Sequence, residues 1–67
     1  MEVTFNNQTR QIELHSTIQN ALDIWVGEKQ KGIAIAVNDV IVYKAQWGSY
    51  ELQPDDNVLV ITAFQGG

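Results

Sequence analysis

The sequence predicts a single α+β domain, with one helix packed on one face of a mixed sheet of four to five strands. Two observations predict it. Short apolar runs with strand spacing flank only one stretch with helical spacing, so one helix must serve several strands. The chain is also too short, at 67 residues, for a second core. Its apolar content of 45% is that of a folded domain rather than a disordered one.

Met1, Val3 and Phe5 alternate with Glu2 and Thr4, the period of a half-buried strand. Asn6-Asn7-Gln8 is a polar turn. Ile12 and Leu14 then alternate with Gln11 and Glu13 and predict a second strand, closing an N-terminal hairpin. Ser16 is the expected N-cap of the helix, with Gln19 three residues on as in a capping box; Thr17 is the alternative cap. Ile18, Ala21, Leu22, Trp25 and Val26 fall at i, i+3, i+4, i+7 and i+8 and make one apolar stripe. Gly27 is the expected stop, with Lys29 as the far limit.

Ile33-Ala34-Ile35-Ala36-Val37 is a continuous apolar run of strand length. It predicts burial on both faces, or burial on one face and binding on the other. Asn38-Asp39 is a turn pair, and Val40-Ile41-Val42-Tyr43 a short return strand. Lys44 to Tyr50 is irregular, with Trp47 and then Leu52 as anchors into the core. Gln53-Pro54-Asp55-Asp56 reads as a type I turn with proline at its second position. The last strand runs from Asn57 or Val58 to about Phe64. By period 2, Val58 and Val60 point to the core, and Leu59 and Ile61 form an apolar patch on the open face with Phe64 nearby.

Composition excludes several functions. With no cysteine and one histidine, the chain carries no thiol chemistry, no disulfide and no metal staple. Four basic residues against eight acidic ones give a net charge of −4, the wrong sign for a nucleic-acid binder and a good match to a basic partner surface. Met1–Phe5 lacks the basic start and long apolar run of a signal peptide, and no run approaches the length of a membrane span. The expected location is cytoplasmic. His15 has no nucleophile or acid placed around it in the sequence. Asp55-Asp56 is better explained by the proline turn than by a metal. Ser16 and Ser49 lack the glycine-rich setting of an activated nucleophile.

The chain ends in Gly66-Gly67, directly after an apolar strand. Glycine has no Cβ, so two in succession pass a narrow channel that other residues would block. The β-β-α-β-β-β order is the β-grasp pattern. The segment Ile35-Ala36-Val37-Asn38, the turn Pro54-Asp55-Asp56 before Val58 and the closing Gly66-Gly67 together resemble the ThiS family over the whole chain. These are ubiquitin-like sulfur carriers of thiamine biosynthesis. The related MoaD family, small subunits of molybdopterin synthase, is longer and carries prolines before the final glycines. Thr62-Ala63-Phe64-Gln65 stands there instead. Tyr43-Lys44 departs from the Pro-Arg pair common in ThiS-like chains, which leaves the role of a basic group at that place open.

The resemblance implies a chemistry. The Gly67 carboxylate is adenylated on an E1-like, ThiF-like enzyme, takes sulfur from a sulfur donor protein, and as a thiocarboxylate hands it to a ThiG-like thiazole synthase. ATP and Mg²⁺ belong to the activating partner, no cofactor is bound by the chain itself, and the chain is not an enzyme. Gln65 and Gly66 form a flexible tail with Gly67 at residues 65–67 of a domain spanning 1–67. Leu59, Ile61 and Phe64 contact the partner, and no nucleic acid or membrane is involved. A ubiquitin-like protein modifier, a MoaD-like subunit and a plain interaction domain remain the alternatives.

Overall fold

The structure is a computed structural model and describes residues 1–62. Its strands are β1 (Glu2–Phe5), β2 (Gln8–Gln11), β3 (Ile33–Val37), β4 (Val40–Val42) and β5 (Asn57–Thr62), with one α-helix, α1 (Ile18–Trp25), between β2 and β3. Among the described residues the strands form a single mixed sheet in the order β2-β1-β5-β3-β4. The β1–β5 pair is parallel; the others are antiparallel.

The hairpin departs from the expected register. Asn6 and Asn7 both adopt left-handed φ, 49° and 67°, as a two-residue hairpin turn demands. Phe5 therefore faces Gln8, and β2 begins at once. The strand is Gln8–Gln11, not the Ile12–Leu14 alternation. Ile12 still enters the core, with its N–H on the Met1 carbonyl at 2.9 Å, but Leu14 is exposed in a turn. Every residue of β2 is exposed, so the strand carries no apolar signature.

Thr17, not Ser16, caps α1. Asn20 N–H donates to Thr17 Oγ1 at 3.1 Å, and Thr17 N–H donates to Asn20 Oδ1 at 3.0 Å. The Ser16 hydroxyl is used elsewhere, on the Glu13 carbonyl at 2.6 Å. Two further amides of the first turn have no partner within the helix. Ile18 N–H meets the Tyr50 carbonyl and Gln19 N–H the Trp47 carbonyl, both at 3.0 Å, so the irregular segment after β4 completes the helix start. Gly27, at φ 74°, ends the helix, and its N–H reaches back to the Leu22 carbonyl at 2.9 Å.

Ile18, Ala21 and Leu22 of α1 pack on Val3, Ile35, Val37 and Val58 of the sheet. Trp25 lies on Phe5, ring centroids 4.8 Å apart. Trp47 is 2% exposed and donates its Nε1–H to the Val42 carbonyl at 2.9 Å; Leu52 is also fully buried. Both anchors stand where the sequence places them.

The Pro54 turn is type II rather than type I. Asp55 has φ 68°, and positive φ at the third position after a proline, whose own φ is held negative, is the type II pattern. Asp55 N–H donates to the Glu2 carbonyl at 2.8 Å, which holds this unfavourable angle. Asp56 is buried, and its carboxylate accepts from Gln53 N–H at 2.8 Å and Asn38 Nδ2 at 2.9 Å. Asn38 Oδ1 in turn accepts from Asn57 N–H at 2.9 Å. One polar knot thus ties the β3–β4 turn to the start of β5.

Candidate functional site

The site is the face of the sheet that α1 leaves open. Residues paired across a sheet share a face. Ala36 pairs with Leu59 on one side and Ile41 on the other; Ala34 pairs with Ile61. Their neighbours Ile35, Val37, Val42 and Val58 belong to the core, so these five point the opposite way. Ile41 is 46% exposed and Ile61 48%, with Leu59 and Ala34 half-buried between them. Tyr43, two residues beyond Ile41, is also exposed and extends the same face by the strand period.

The apolar character stops at β5. On the open face of the hairpin the paired residues are Glu2 with Gln11 and Thr4 with Thr9. The sheet therefore offers an apolar half over β4, β3 and β5 and a polar half over β1 and β2. Contiguous apolar surface of this kind on a small domain makes this half of the sheet the candidate interaction face.

The β5 strand is supported unequally along its length. Beyond Val58 the hairpin turns away at Asn6, whose side chain continues the ladder by accepting Val60 N–H at 2.8 Å. Past that point β3 is the strand that pairs with β5 among the described residues, as far as Thr62 opposite Ile33. The apolar patch thus reaches the last described residues of β5.

Of the residues singled out from sequence, Leu59 and Ile61 are on this face as expected. Phe64, Gln65, Gly66 and Gly67 lie outside the described residues. Ile41, Ala34 and Ala36 were not singled out, although the period of Ile33–Val37 already puts the two alanines on one side. Ile41 could be added only with the β3–β4 register. No group of three or more metal-ligating side chains occurs among the described residues. His15 is exposed and shares a 2.9 Å contact with Glu51, a surface tie between two loops. No helix among the described residues is long and apolar enough to cross a membrane.

The sequence model of the ThiS family matches residues 3–67. The sulfur carrier protein ThiS of Escherichia coli (strain K12) is 31% identical over 67 residues, covering the whole of both chains. The crystal structure of the thiamine biosynthesis protein ThiS from Geobacter metallireducens superposes with a TM-score of 0.87 over the whole of both chains. At 13% identity, that likeness shows a common fold.

Proposed function

Because the chain belongs to the ThiS family, we propose that it is a sulfur carrier whose working group is the carboxylate of Gly67. The observation that carries this reading is the match to the E. coli sulfur carrier, which covers the whole of both chains, the Gly66-Gly67 end of this one included. A carboxylate resists substitution because its oxygen leaves poorly. Attack of the Gly67 carboxylate on the α-phosphate of ATP expels pyrophosphate and makes a good leaving group of AMP. The terminal sulfur of a donor's persulfide attacks the adenylate carbonyl and expels AMP. A thiol then cleaves the resulting acyl disulfide, leaving the thiocarboxylate on Gly67 and a disulfide on the donor side. ATP and Mg²⁺ are held by the adenylating partner, so the chain needs no acid–base pair of its own, and catalysis belongs to the partners.

The chain contributes reach and recognition. Five residues follow Thr62, a reach of at most about 18 Å when extended. A partner seated on Ile41, Leu59 and Ile61 can therefore hold the reacting carbon within its own site. Tail ordering costs roughly 1–2 kcal/mol per residue, and burial of the patch offsets it. Transfer from the thiocarboxylate to a thiazole synthase in the cytoplasm completes the reading.

Incubation with the cognate adenylating enzyme, ATP, a persulfide donor and a thiol reductant should raise the intact mass by the difference between a sulfur and an oxygen atom. The protein lacking Gly67 should stay unmodified and folded. An unchanged mass with a demonstrably active partner would sink the proposal.

A further inference from the structure

The far edge of the sheet carries a second surface, apart from the Ile41–Leu59–Ile61 patch. In the hairpin, Ile12 N–H bonds to the Met1 carbonyl, so the alternation of an antiparallel ladder makes Val3–Arg10 and Phe5–Gln8 the next bonded pairs. Thr9 and Gln11 occupy the positions between. Their N–H and C=O groups point away from β1, and no described group takes them. Edge strands are ordinarily blunted by proline, lysine or a bulge. β2 has no proline, lysine or bulge; it is four residues long, and its one charged side chain, Arg10, is drawn aside, its Nη2 donating to Gln8 Oε1 at 3.1 Å and its guanidinium 5.9 Å from the Phe5 ring centre.

At the Gln11 end of this edge lies a groove of about 540 Å³ between the end of β2 and α1, lined by Gln11, Ile12, Glu13, Asn20, Asp23 and Ile24. Ile12 and Ile24 supply its apolar surface, and Ile24 is 67% exposed, the outlier of an otherwise buried or polar helix. Glu13 and Asp23 give it two carboxylates. Hydrogen bonds from Gln30 and Gln19 keep the Asp23 carboxyl below its ordinary range, so it is anionic at neutral pH.

We propose that the β2–α1 groove docks an extended basic segment of a partner protein, added to the sheet as a sixth strand. Thr9 and Gln11 pair with its backbone, Ile24 takes an apolar side chain, and Glu13 and Asp23 take lysine or arginine. The groove lies on the helix side, opposite the Ile41–Leu59–Ile61 patch, so both surfaces can be filled at once. The inference does not depend on the sulfur chemistry.

The test is an amide chemical-shift titration of the whole chain with a short capped peptide of alternating valine and lysine. Shifts should concentrate at Thr9, Gln11, Glu13, Asp23 and Ile24, with slowed exchange of the Thr9 and Gln11 amides. Glu13→Lys with Asp23→Lys should weaken binding about tenfold or more, the scale of one lost charged hydrogen bond. Thr9→Pro should also weaken it, since it removes an outward N–H and leaves the bonds to β1 in place. A native amide spectrum confirms the fold of each variant. Binding that survives charge reversal, shifts centred on Ile41 and Ile61, or no shifts at all would overturn the proposal.

Discussion

Ile41→Thr combined with Ile61→Thr separates the proposed recognition surface from stability. Each isoleucine has about half its surface still in water, 46% and 48%. Full burial of such a side chain contributes about 2 kcal/mol, so covering the exposed half contributes about 1 kcal/mol each. The sites sit on β4 and β5, separated by β3, so their effects should add. The sum, about 2 kcal/mol, is a roughly 30-fold rise in Kd for the adenylating enzyme. Threonine keeps the β-branch, so the strands should hold and stability should move by only about 0.5 kcal/mol. Kd by calorimetry and KM for the carrier in pyrophosphate exchange read the first quantity; urea denaturation reads the second. Val58→Ala is the opposite control. It lies 1% exposed under the helix, so it should lose about 2 kcal/mol of stability with little change in Kd. If the double variant bound its partner within twofold of the parent, the open face would not be the docking surface.

Trp47→Phe should cost about 2 kcal/mol in urea denaturation, since it empties volume and removes the donor to the Val42 carbonyl; a loss near zero would mean that the segment after β4 is held by its backbone bonds alone. Thr17→Ala should cost about 1 kcal/mol, and Ser16→Ala should not reproduce a helix-cap loss, because only Thr17 accepts from Asn20. Comparing helical circular dichroism in the two variants checks that order. Asp23 titrates below its ordinary value of 3.8, chiefly through Gln30 and then Gln19. A depressed carboxyl stabilises the fold fully above the ordinary value, and that stabilisation disappears as pH falls through the lowered one. Asp23→Asn should therefore flatten the acid limb of the pH–stability curve below about pH 4; an identical limb in both proteins would contradict the link.

The strand β2 shows why part of the fold was illegible. A hidden edge strand has no apolar residues to announce it, and the visible alternation of Ile12 and Leu14 lies just beyond it. The turn at Asn6-Asn7 sets its register, and that turn is chosen by backbone angles that sequence spacing does not display. The helix cap is a similar case. Ser16-Thr17 offers two hydroxyls in succession, and the contact of Ser16 with Glu13 leaves Thr17 to cap. At Asp55 a long-range bond to Glu2 settles the turn type, against the local preference of the residue for negative φ.

The sequence by itself determined the inventory: one apolar helical stripe, an apolar central strand, the anchors Trp47 and Leu52, and the inward set Val58 and Val60. These are properties of spacing and side-chain chemistry, and period alone carries them. It also carried the family resemblance, through motifs in a fixed order ending at Gly66-Gly67. Only the tertiary structure decided which residues meet. The patch exists because β3 pairs Ala36 with both Ile41 and Leu59, residues far apart in the chain, and because a single short helix covers one face of the sheet and leaves the other in water.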